Sequence, residues 1–188
     1  MNHGAMSGPD PSWTPRSGVA DATAAIGEPA VVAWCCDLLT GRAAPEDPAG
    51  PPLEWIGGRP GTFPLERWLR PDQRYWPRVW AARALRYAWR PEAEPAVVAA
   101  LADEAWRVRE HACAVVQLRE LSAGDEILGL TADPVARVRV AACEALAQVG
   151  EAEHADALRG AADDDEPAVA EAAEAALAVL AHRLDRPL

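Results

Sequence analysis

Four aspartates recur down this chain at a near-constant interval: Asp72, Asp103, Asp133 and Asp164, spaced by 31, 30 and 31 residues. Six residues after the first three stand Arg78, Arg109 and Arg139, with Ala170 in the fourth place. Ala81, Ala112, Ala142 and Ala173 follow in register, and then Leu85, Val116, Leu146 and Leu177. A unit of about 30 residues with helix-favouring composition is too short to bury its own apolar face, so such units stack on one another. The period therefore predicts an all-α fold, an α-solenoid of about four stacked antiparallel helix pairs preceded by one N-terminal helix. The pairs are expected at 64–71 and 74–90, 94–102 and 105–120, 124–132 and 135–149, and 153–163 and 167–184.

Local signals fit these spans. Pro64, Pro95, Pro134 and Pro167 fall at or just before the helix starts, where a missing N–H costs nothing. Val108, Ala112, Val115 and Val116, and their counterparts Val138, Ala142, Ala145 and Leu146, are three and four residues apart and make one apolar face. Upstream the pattern lapses. Residues 1–27 open with a Gly-, Pro- and Ser-rich stretch and are expected to be disordered. Residues 28–63 are read as the N-terminal helix (28–40) followed by a long irregular connection that Trp55 and Ile56 are placed to pin. The hexapeptide EPAVVA occurs from Glu28 and again from Glu94, which ties the first helix to the repeat unit. Residues 64–188 form the solenoid proper.

The stretches DEAWRVREHACAVV and DPVARVRVAACEAL, with the weaker RPDQRYWPRVWAARAL and DDEPAVAEAAEAAL, resemble HEAT repeats. The resemblance is closest to the short bacterial type also found in phycobilisome lyase-like proteins, and it covers residues 64–184. It implies an armadillo-like helical scaffold of the kind that grips other proteins, although repeats of this type also serve as inhibitors, adaptors and, in some cases, enzymes. It further implies that the Asp and Arg series binds loops and helix starts along the stack. An active site would occur once, whereas this pair recurs. Pro77 in place of the Val before Arg78 makes the first repeat unusual, and Ala170 makes the last one a cap.

The formal charge of −11, with 18 Arg and no Lys, argues against general attraction to nucleic acid or anionic membrane. The opening MNHGAMSGPD lacks the basic start and apolar run of an export signal, and the longest apolar run, PAVVAWCC, is too short to cross a bilayer. Together with four Cys this leads to an expectation of a cytoplasmic protein with free thiols. Cys113 and Cys143 share one repeat place on the packed face and read as core thiols. His3, His111, His154 and His182 show no ligand spacing, and no phosphate loop or nucleophile elbow appears. The expectation is a non-enzyme with no metal and no cofactor.

One segment reverses the charge. Residues 59–90 hold eight Arg against Glu66 and Asp72 only, a local balance of +6, with Trp68, Trp76, Trp80 and Trp89 interleaved. On a helix over 74–90, Arg83, Arg86 and Arg90 would form one outward stripe, with Trp76 or Trp80 as an apolar anchor. Arg and Trp dominate interface hot spots, so these five residues are the candidate partner-binding surface, suited to an acidic segment of a protein. The competing reading is that the Trp fill an irregular core and the Arg are solvated or paired. An alternative function is nucleic-acid binding of the HEAT-like DNA glycosylase type, which a continuous basic groove would favour. The sequence specifies neither the partner nor the oligomeric state.

Overall fold

The computed structural model describes residues 14–47 and 50–187, and among these there is no β-strand. The fold is all-α and HEAT-like, and the described residues form two compact units, the first up to Arg90 and the second from Pro91. The pair expected over 64–90 thus groups with the N-terminal helices.

In the first unit α1 spans Pro15–Ile26 and α2 Glu28–Leu39. The segment expected to be disordered therefore divides: residues 1–13 lie outside the described residues, and the remainder is α1. Its start is well specified. Thr14 and Ser17 form a reciprocal capping box and Pro15 occupies the first helical position. Gly27, at φ 86°, turns the chain between α1 and α2, whose axes differ by 118°. The long connection contains α3 (Glu54–Gly57) and a 3-10 turn at Arg59–Thr62, and α4 (Leu65–Trp68) stands within the helix expected over 64–71. Trp55 and Ile56 are buried and do pin it. The unit closes with α5, Trp76–Ala84, which packs on α2 and α3.

The second unit follows the predicted register closely. It consists of α6 (Glu94–Ala100), α7 (Trp106–Arg119), α8 (Gly124–Leu128), α9 (Ala136–Val149), α10 (Ala155–Ala162) and α11 (Pro167–Arg183). The long second helices pack in sequence, α7 on α9 and α9 on α11. Their contact places carry Ala112, Ala142 and Ala173, each at most 1% exposed, so the backbones approach closely. Val116 and Leu146 are fully buried, whereas Leu177 on α11 is only half-buried.

The Asp and Arg series is a continuous ladder in this unit. Asp103, Asp133 and Asp164 each sit three residues ahead of a helix. Each accepts the N–H two residues on, from Ala105, Val135 and Glu166, at 2.8, 2.9 and 2.9 Å. The turn is made before the helix begins, so the aspartate sets the entry angle and is not itself the N-cap. Arg109 then donates from Nη1 to the Asp103 carbonyl at 2.8 Å. Its Nε and Nη2 grip the carboxylate of Asp133 in the next repeat at 2.8 and 3.0 Å. Arg139 repeats the arrangement: Nη1 to the Asp133 carbonyl, Nε and Nη2 to Asp164 at 2.7 and 2.8 Å. Each arginine thus fixes its own turn and the following one, with the planar fork that a carboxylate matches. The hydrogen bond to Arg139 holds the Asp164 carboxyl below the ordinary carboxylate range and, reciprocally, raises Arg139.

A second clamp in this unit leaves no periodic trace. His154, 3% exposed, accepts the Glu151 N–H on Nδ1 at 2.8 Å, which leaves Nε2 as the donor to Asp125 Oδ1 at 3.2 Å. The ring lies over Gly124, where any Cβ would come within 2.9 Å of it. Cys113 and Cys143 are buried free thiols, pushed by desolvation up to about 12 and about 11.

Candidate binding surface

The helix that was to carry the basic stripe ends early. α5 stops at Ala84, and the chain continues as turns, with the Arg86 and Tyr87 N–H groups bonded to the carbonyls of Arg83 and Ala84. Two features oppose a longer helix. Pro91 disfavours helical backbone at Arg90. The Trp89 N–H is taken by Glu28 Oε1 at 3.2 Å, a bond to the start of α2. Arg83, Arg86 and Arg90 are consequently not one line.

Two of the five expected binding residues are structural. Trp80 is 1% exposed, with Trp68 edge-on at 4.8 Å between ring centroids and Trp76 tilted against it at 6.2 Å. Gly57 lies flat on its ring, where a Cβ would sit 2.8 Å from Cε3. Arg83 reaches into the protein: Nη2 donates to the Ile56 carbonyl at 2.9 Å and lies 3.4 Å from that of Gly57. These carbonyls close the short helix α3, where a cation is favourable. Desolvation lowers the Arg83 pKa from its ordinary value, in keeping with an inward position. The Trp-rich composition of residues 59–90 therefore follows in part from a core that aromatic rings must fill, since Trp68 is buried as well, in the same unit that buries Trp55 of α3.

Of the other three, Trp76 and Arg90 are half-buried and Arg86 is exposed. Arg86 lines a cavity of about 440 Å³ together with Arg16, Thr23, Glu28 and Tyr87. The Arg16 guanidinium lies 5.5 Å above the centroid of the Tyr87 ring, which is 37% exposed. Arg16 could not be found from the repeat pattern, because α1 stands outside it. The positive charge of the segment also emerges elsewhere. Arg59, Arg67, Arg70 and Arg74 are exposed, and Arg67 covers the exposed Phe63 ring at 5.0 Å.

The two units differ sharply in charge. Residues 1–90 carry ten Arg and nine acidic residues, a balance of +1, against eight Arg and twenty acidic residues, −12, in 91–188. A duplex-binding groove would need its positive charge sustained, and the second unit runs the other way. Among the described residues no single helix is long and apolar enough to cross a bilayer, and no group of three or more potential metal ligands converges.

In comparison with known families, the HEAT repeat matches residues 125–152, which span α8 and α9. No curated protein matches the chain.

Proposed function

We propose that this chain, in which residues 125–152 match the HEAT repeat, is a non-enzymatic scaffold that holds an acidic segment of a partner protein on its first unit. HEAT repeats generally mediate protein–protein interaction. The observation that carries the finer reading is the cavity lined by Arg16, Arg86 and Tyr87: two guanidinium groups and an aromatic face around one opening, against a single carboxylate, Glu28, that accepts the Trp89 N–H. Guanidinium groups bind carboxylates in a fork, and Tyr offers apolar area at small entropic cost. The exposed arginines at 59–74 extend the attraction and speed encounter. The same reading sets the protein in the cytoplasm, supported by four cysteines that are all free and buried.

The test is affinity capture from the native host with the wild type and an Arg16→Glu/Arg86→Glu variant, at low and raised salt. The partner should be lost in the variant and weakened by salt, as expected of charges screened over about 8 Å at physiological ionic strength. The variant's melting temperature should stay within about 2 °C of wild type, since both side chains are exposed. Retention of the same partners by the variant would overturn this surface.

A further inference from the structure

The second unit carries a different recess, formed by its first helices. One cavity, about 770 Å³, is lined by Pro91, Glu94, Pro95, Val98, Ala99 and Glu126, and a second, about 560 Å³, by Val98, Leu101, Ala102, Glu104, Glu126 and Leu130. They share Val98 and Glu126 and so form one trough between α6 and α8. Its origin is local. α6 has seven residues and α8 only five, and the exposed places on them and after them include the small Ala99, Ala102 and Gly129. A first-helix layer this short leaves apolar floor open: Val98 and Leu130, which line it, are half-buried.

The rim is acidic. Glu94 and Glu126 stand on the two banks, Glu92 and Glu104 line the ends. The one cation on the wall, Arg109, is engaged by Asp133 and by the Asp103 carbonyl. An apolar floor between carboxylates excludes acidic ligands and matches an amphipathic helix whose polar face is basic, the helix-in-groove mode of recognition. The charge of −12 on this unit favours the same class of ligand at long range. We propose that the trough between α6 and α8 is a docking site for a cationic amphipathic helix of another protein. This partner is opposite in charge to the one proposed for the first unit, so the chain would join two partners of unlike chemistry.

The experiment titrates full-length protein into fluorescently labelled synthetic helices, read by anisotropy. One helix has Leu on one face and Lys on the other. The second has the same composition scrambled so that no apolar face forms, and the third has Glu in place of Lys. Only the first should bind well. Glu94→Arg/Glu126→Arg should weaken it about fivefold to tenfold, the effect of two rim ion pairs. Ala99→Trp, which fills the floor from an exposed place, should weaken it without changing the charge. Glu171→Arg/Glu174→Arg on α11 applies the same net change elsewhere and should alter binding less than about twofold. Circular dichroism confirms that each variant is folded. Equal binding of the scrambled helix, or equal weakening by the α11 pair, would reduce the effect to net charge and overturn the site. Arg16→Glu/Arg86→Glu should leave this binding intact, which separates failure here from failure of the first-unit surface.

Discussion

The two units solve the same packing problem by opposite means. Residues 91–188 bury small side chains repeatedly: Ala112, Ala142 and Ala173 at one place, Cys113 and Cys143 at another, with a ladder of identical Asp and Arg bonds along the turns. Residues 14–90 bury large side chains once each. Trp34, Trp55, Trp68 and Trp80 fill a core whose backbone must recede to admit them, as Gly57 does beneath Trp80. Buried polar groups are met in both: in the second unit Asp133 and His154 have partners, and in the first Arg83 Nη2 donates to the Ile56 carbonyl. Repetition lets one good solution be reused, whereas an irregular core accepts local cost for each fit.

The contrast predicts where a single truncation does most harm. Trp80→Ala removes the ring that Trp68, Trp76 and Gly57 all touch. It should cost about 4 kcal/mol, in the range for large aromatic truncations. Denaturant unfolding measures it. A loss below about 1 kcal/mol would mean that the first unit is not organised around this ring.

Asp133→Ala attacks the other solution. It removes the acceptor for the Val135 N–H and strands the Arg109 guanidinium, whose side chain is 13% exposed. Breaking one member of a buried pair typically costs about 3 kcal/mol or more. Chemical denaturation of the variant, compared with Trp80→Ala, ranks the two kinds of core. An unchanged midpoint would remove the ladder from any structural role.

How much of this was legible beforehand follows the same division. The second-unit helices, the inward alanines and the Asp and Arg ladder are readable because each contact recurs at the same place. Recurrence separates a structural pair from a chance one. Arg83 shows the limit. Helical spacing alone put it on an outward stripe with Arg86 and Arg90. Its true partners are the carbonyls of Ile56 and Gly57, 27 and 26 residues upstream and reached by no repeated contact. Trp80 looked like an anchor because composition cannot distinguish a ring that faces a partner from one that faces its own core. The α1 helix was missed because the Gly- and Pro-rich opening masks a capping box at Thr14 and Ser17 that acts over four residues. His154 and Arg16 are single-use contacts and carry no sequence signal of their roles.

A smaller effect sharpens the account of the aromatic core. Gly57→Ala places a Cβ 2.8 to 3.0 Å from three atoms of the Trp80 ring, which has no room to retreat. Overpacking of this kind should cost about 2 kcal/mol. Combined with Trp80→Ala the penalty should vanish, since the obstructing ring is gone, so the two changes should be strongly non-additive. Strict additivity in a double-mutant cycle by urea unfolding would show that Gly57 is constrained by its backbone and not by the ring.

The smallest effect is a pH dependence confined to the end of the ladder. The hydrogen bond from Arg139, aided by the Glu166 N–H, depresses the Asp164 carboxyl below its ordinary value of 3.8. A carboxyl depressed on folding binds its proton less readily in the folded state than in the unfolded one. Its stabilising contribution is therefore complete above the unfolded value, declines as pH falls below about 4, and is gone once pH passes below the folded value. Asp164→Asn keeps an oxygen to accept the Glu166 N–H but abolishes the charge, so it lacks this contribution at every pH. The stability gap between wild type and variant should be constant from pH 7 down to about pH 4 and should narrow steadily below that. Thermal melts across this range measure the gap. If it stays constant down to pH 2, the ion pair with Arg139 contributes nothing through charge, and the ladder's terminal rung is held by hydrogen-bond geometry alone.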